Sequence, residues 1–168
     1  MATTSSNLVK GDCARGLESV VISNFKFADN RAIEIIEQLI TNGVKINDIA
    51  IISPYSIQTK LLKELTSQRW SQLEISTIDA YQGSEKEVII FSAVRSNKEG
   101  RLGFLKDPQR MNVAITRAKK QFILIANAET LGREKQWASF MQNFEFKLIN
   151  EANNNPHSKL AGTKRKNK

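Results

Sequence analysis

Residues able to handle a polar, phosphate-sized ligand concentrate in three stretches of this 168-residue chain, each at the exit of a strand-like run. Ser53-Pro54-Tyr55 follows Ile49-Ala50-Ile51-Ile52. Thr77 to Glu85, with Asp79-Ala80-Tyr81-Gln82-Gly83-Ser84 between them, follows Leu73-Glu74-Ile75-Ser76. The third stretch, Arg95 to Asp107, follows Val88-Ile89-Ile90-Phe91 and carries Arg95, Asn97, Lys98, Gly100, Arg101 and Gly103. Loops above ~12 residues without secondary structure are uncommon and often functional, so this one is expected to lie over a ligand or partner. Alone, Ser-Pro and Gln-Gly are also ordinary turn chemistry. Their position singles them out, because ligands in an open parallel sheet collect outside the carboxyl ends of the strands.

The elements that must hold these loops alternate between strand and helix. Val20-Val21-Ile22 reads as a strand, and Asp29 or Asn30 can cap a helix whose apolar face is Ile33, Ile36, Leu39 and Ile40, ended by Gly43. Residues 49–52 are continuously apolar and β-branched, as in a parallel strand covered on both faces. A helix over 57–69 is expected to bury Leu61, Leu62 and Leu65, and strands follow at 73–77 and 88–91. Asp107-Pro108 supplies an N-cap and a first-turn proline to a helix carrying Met111, Val113, Ala114 and Arg117. A strand at 122–126 and a helix at 135–140, packing Trp137 and Phe140, complete the pattern. With connections this short the strands must be parallel, giving a three-layer α/β domain.

Composition narrows the chemistry. One cysteine, Cys13, excludes an internal disulfide and any zinc site on paired cysteines, and an intracellular, reducing compartment, nuclear or cytoplasmic, is expected. His157, the single histidine, sits in a polar tail, so neither metal ligation nor histidine acid–base chemistry is expected, and no metal site is assigned. No run approaches the ~18 apolar residues of a membrane span. The net charge of +8 favours polyanionic partners. About half of it lies in residues 151–168, where Lys159, Lys164, Arg165, Lys166 and Lys168 face only Glu151. That tail suits a nuclear address, an electrostatic anchor or, most commonly, a solvated end.

Read together and in order, Ile51-Ile52-Ser53-Pro54-Tyr55-Ser56-Ile57-Gln58, Ile75-Ser76-Thr77-Ile78-Asp79-Ala80-Tyr81-Gln82-Gly83-Ser84-Glu85-Lys86-Glu87 and Arg110-Met111-Asn112-Val113-Ala114-Ile115-Thr116-Arg117-Ala118-Lys119 are more specific than any one alone. They resemble the closing half of superfamily-1 helicases of the Upf1-like group, which includes senataxin: a "TPY...Q" segment, motif V ("STVDxFQGxEKD") and motif VI ("RRLNVALTRAK"). The resemblance spans roughly residues 20–128. It implies a RecA-like, P-loop NTPase-type domain with a mainly parallel sheet, the second of two motor lobes that hydrolyse ATP in the cleft between them.

The same resemblance implies roles. Arg117 matches the arginine finger, whose planar, permanently charged fork can bond two phosphate oxygens at once. Glu85 matches the carboxylate that holds the ribose, Gly83 allows close backbone approach, Gln82 orders the same loop and Arg110 supports the phosphate side. Ser53, Tyr55 and Thr77 resemble positions on the nucleic-acid track, which Arg95 and Lys98 extend. Tyr55 is equally suited to plugging the layer below its strand. Gln109 replaces the first of the usual two arginines, leaving one charge fewer near the phosphates.

The 168 residues contain no G-x-x-x-x-G-K-[ST] segment to cradle the β- and γ-phosphates. ATP with Mg2+ is therefore expected to be bound mainly by a missing first lobe, with single-stranded RNA or DNA as the other partner and no membrane. The expected organisation is a frayed segment at 1–18, a RecA-like domain at 19–150 and a basic disordered tail at 151–168, in a fragment or truncated product of a larger helicase. The alternative is a stand-alone nucleic-acid-binding module without ATPase activity.

Overall fold

A computed structural model describes residues 18–22, 28–93 and 103–143. Five strands, β1 (Glu18–Ile22), β2 (Ile49–Ser53), β3 (Glu74–Thr77), β4 (Lys86–Ser92) and β5 (Ala118–Ile125), form one sheet. Its order is β1-β5-β4-β2-β3 and every pairing is parallel. The three-layer α/β expectation holds.

Successive side chains on a strand point to opposite faces, and each face meets a different layer. Ile49, Ile51, Val88, Ile90, Ile123 and Ile125 pack with Ala32, Ile35, Ile36 and Leu39 of α1 (Ala28–Thr41) and Leu62 of α2 (Ser56–Thr66). Ala50, Ile52, Ile89, Phe91, Phe122 and Leu124 face Ile78, Tyr81, Met111 and Ala114, with Trp137 and Phe140 of α5 (Lys135–Asn143). Phe91 stacks on Trp137 at 5.9 Å between ring centroids, and the Trp137 indole donates to the Leu105 carbonyl at 2.8 Å.

α3 (Pro108–Thr116) starts as its sequence requires, with the Asp107 carboxylate accepting from the Gln109 N–H at 2.9 Å and proline in the first turn. A short α4 (Ala128–Gly132), absent from the sequence reading, follows β5 and precedes α5.

Two helix faces differ from expectation. α1 buries Ala32, Ile35, Ile36 and Leu39, while Ile40 is exposed and Ile33 only half-buried. α2 buries Gln58, Thr59, Leu62 and Thr66, and leaves Ile57 at 81% exposure, Leu61 at 39% and Leu65 at 48%. Gln58 turns inward because its amide donates to the Asp29 carboxylate on α1. The face that α2 turns inward thus joins Leu62 to polar Gln58, Thr59 and Thr66, which periodicity could not foresee.

The polar reading of the 78–85 stretch is also corrected. Ile78 and Tyr81 are almost fully buried, so the segment is half core and half site. No described helix is long and apolar enough to cross a membrane.

Candidate nucleotide and nucleic-acid interface

Thr77 closes β3 opposite Ser53, the last residue of β2, at the carboxyl edge of the sheet. Lys86 opens β4 beside Ala118, the first residue of β5, at the amino edge, and the Lys86 N–H donates to the Arg117 carbonyl at 3.1 Å. At ~3.3 Å per residue, the length of β4 separates the two edges by about 20 Å. Residues 78–85 must descend this distance, because β3 and β4 run the same way. They do so across the face of the sheet, pinned by Ile78 and Tyr81.

This descent corrects the carboxyl-edge rule applied to the sequence. Thr77 obeys it. Gln82, Gly83, Ser84 and Glu85 instead arrive at the amino edge, beside Arg117.

Arg117 follows the last turn of α3 and folds back over it. Its Nε donates to the Val113 carbonyl at 3.2 Å, its Nη1 to the Ser84 carbonyl at 3.4 Å and its Nη2 to the Thr116 hydroxyl at 3.2 Å. The partial negative charge of a helix C-terminus favours a cation here. A guanidinium has five N–H groups, and these three contacts leave two for an incoming acceptor. The side chain is half-buried: it is neither in the core nor remote from the Gln-Gly turn.

The turn beside it is open. Gly83 has φ +89°, a left-handed conformation that side chains rarely adopt, and nothing lies within 4 Å of the place a Cβ would take. The glycine is set by backbone conformation rather than by crowding. Gln82 and Glu85 are both exposed. Below them lies Tyr81, whose hydroxyl is buried with no hydrogen-bond partner. Its pKa is pushed up to about 12, first by burial and then by the charge of Glu74, against an opposing pull from Arg117. Nearby on the same edge, Lys120 and Glu87 pair at 2.7 Å, and their mutual hydrogen bond raises the lysine pKa and lowers that of the glutamate.

Arg110 lies elsewhere. It sits in the first turn of α3, about 10 Å along the helix axis from Arg117 at ~1.5 Å per residue. Its Nε and Nη2 bind the two Asp79 carboxylate oxygens at 3.1 and 3.3 Å. Arg110 thus ties α3 to the start of the descending segment, while Arg117 meets its end.

At the carboxyl edge the expected track changes membership. Ser53 is fully buried; its hydroxyl donates to the Ser92 carbonyl at 3.0 Å and accepts from the Tyr55 N–H at 3.3 Å. A side chain so enclosed cannot touch a phosphate, so Ser53 is a structural tie between β2 and β4. Tyr55 and Thr77 are half-buried, and the Thr77 hydroxyl accepts from the Ala80 N–H at 3.3 Å. Arg95, Lys98 and the basic tail lie outside the described residues.

Sequence reasoning overlooked Tyr81, Asp79 and the Ser84 carbonyl. The phenylalanine of the motif V pattern at the Tyr81 position was the available signal for a core aromatic. Nothing in the sequence pairs Asp79 with Arg110.

Comparisons with known proteins place the chain in a family. A family model described as an AAA domain matches residues 20–129. The DNA-binding protein SMUBP-2 of Rattus norvegicus is 43% identical over 96 residues, covering 57% of this chain and 10% of its own length. A regulator of nonsense transcripts 1 homolog from Drosophila melanogaster is 37% identical over 134 residues, covering 73% of this chain and 11% of its own. DNA polymerase alpha-associated DNA helicase A of Saccharomyces cerevisiae is 46% identical over 102 residues, covering 60% of this chain and 15% of its own. These matches thus span only a small part of each relative. Among solved structures, the C-terminal domain of a possible DNA helicase from Lactobacillus plantarum aligns with a TM-score of 0.54 at 15% identity, covering 79% of this chain and 84% of that one. That likeness concerns the fold alone.

The chain belongs to the AAA domain family, and it is similar to segments of SMUBP-2 and of regulators of nonsense transcripts 1. Its α/β architecture is shared with the Lactobacillus plantarum C-terminal domain.

Proposed function

We propose that this chain is the second motor lobe of an ATP-dependent helicase that moves along single-stranded RNA or DNA, with residues 19–150 as the working domain. The observation that carries the reading is the placement of Arg117 against the Ser84 carbonyl, with two N–H groups left beside an open glycine turn.

This donor set fits the edge of a nucleoside triphosphate. Arg117 would present its guanidinium to the γ-phosphate, Glu85 and Gln82 would meet the ribose side, and Gly83 leaves room for backbone approach. ATP supplies the free energy of phosphoryl transfer, held with Mg2+ mainly by a partner lobe bearing the P-loop. Arg117 stabilises the negative charge that develops on the equatorial oxygens, and its resting contacts keep it near that position beforehand. Arg110 contributes indirectly, by fixing the descending segment through Asp79.

Tyr55 and Thr77 lie at the opposite edge, suited to sequence-independent contacts with a nucleic-acid backbone. A phosphate-facing arginine and a nucleic-acid-facing hydroxyl at the two ends of one packed segment are what a motor lobe requires, because closure at one end can shift the other. Arg95 and Lys98 extend the track in this reading.

The test supplies a P-loop lobe in the same polypeptide and measures nucleic-acid-stimulated ATP hydrolysis. Arg117→Ala should lower kcat on the order of 10² to 10³-fold, the range for loss of one preorganised donor. A rate within twofold of the parent refutes the assignment. Binding of the isolated chain to single strands, titrated with salt and with residues 157–168 removed, tests the track separately from the tail.

A further inference from the structure

Thr116 ends α3 and is exposed, so packing does not explain its presence. Its hydroxyl donates to the Asn112 carbonyl at 2.8 Å, with the Val113 carbonyl at 3.2 Å, and its oxygen accepts from Nη2 of Arg117 at 3.2 Å. A hydroxyl has one proton and two lone pairs. Spending the proton on the helix fixes the side-chain rotamer, and that rotamer aims a lone pair at the guanidinium.

The other two Arg117 contacts go to backbone carbonyls of Val113 and Ser84. The Ser84 contact is long, at 3.4 Å. Each of these involves one edge or tip of the fork. The Thr116 contact takes Nη2 and is the shorter of the two terminal contacts, so it reinforces the long Ser84 bond in fixing the rotation of the guanidinium plane and the two N–H groups that face outward.

We propose that Thr116 is a positioning residue for Arg117: it holds the guanidinium in the orientation from which it meets a phosphate. The inference rests on reading Arg117 as the phosphate-facing cation. Thr116 itself touches no reacting atom.

Two measurements separate this inference from that reading. In the 15N-labelled 168-residue chain, the heteronuclear NOE of the Arg117 Nε–Hε group reports side-chain order without any partner lobe. Thr116→Val and Thr116→Ala should lower it, to a value still above that of a freely rotating arginine because the Val113 carbonyl continues to hold Nε, with the backbone spectrum otherwise retained, and Thr116→Ser should restore it. An unchanged NOE in both the Val and Ala variants overturns the proposal.

With the P-loop lobe supplied, Thr116→Val should lower kcat about tenfold, equivalent to ~1.4 kcal/mol in the barrier, while KM for ATP stays within twofold. Thr116→Ser should recover to within about threefold of the parent. If Arg117→Ala cripples hydrolysis and Thr116→Val does not, positioning by Thr116 is refuted and the Arg117 reading survives. If Arg117→Ala is silent while the NOE still falls in Thr116→Val, the Arg117 reading fails and the structural tie between the two residues stands.

Discussion

Replacing Tyr81 by phenylalanine should stabilise this protein, which is the opposite of what truncating a core side chain usually does. The ring is almost completely buried among Ile78, Met111, Ala114 and the inner face of β2 and β4. Its hydroxyl, enclosed with it, has no hydrogen-bond partner. A buried polar group without a partner carries its full desolvation penalty, about 1–3 kcal/mol, and Tyr81→Phe removes that group while keeping the ring. The motif V pattern carries phenylalanine here, so the site tolerates the bare ring. Urea unfolding of the two chains should show a gain of about 1–3 kcal/mol, with Tm higher by ~2–4 °C per kcal/mol for a chain of this size.

The same enclosure has a signature in alkali. Tyr81 titrates near 12 rather than 10 because burial disfavours the phenolate. A folded-state pKa above the unfolded one means that the unfolded chain releases this proton first. Stability from this group is thus complete below about pH 10 and declines as pH rises toward 12. Subtracting the tyrosinate absorbance titration of Tyr81→Phe from that of the parent isolates the group. A loss of stability above ~0.5 kcal/mol on substitution, or a difference titration centred near 10, would refute the picture of an enclosed, unpartnered hydroxyl.

Two other substitutions probe the edges of the sheet. Gly83→Ala should cost about 1–2 kcal/mol, the penalty for a side chain in left-handed backbone, because the space around it is open; urea unfolding showing a loss above ~3 kcal/mol would mean that a contact was missed. Ser53→Ala removes the donor to the buried Ser92 carbonyl and should destabilise by about 1–3 kcal/mol. Its affinity for single strands should stay within twofold of the parent, and a larger drop would return Ser53 to the nucleic-acid track.

The sequence alone determined the alternation of apolar strands and amphipathic helices, and with it the parallel, two-faced sheet, since continuous β-branched runs such as Ile49 to Ile52 stay out of water only when both faces are covered. It also determined the start of α3, because a proline and an acidic cap act locally, and the ordered motifs that mark the family. Tertiary structure decided the rest. The inward place of Gln58 on α2 goes with its bond to Asp29 on another helix. The burial of Ser53 follows from its hydroxyl meeting β4. The meeting of Arg117 with Ser84 at the amino edge follows from a segment that must cross the sheet between parallel strands. Each of these joins residues distant along the chain, and neither propensity nor periodicity, which act over a few neighbouring residues, carries information at that range.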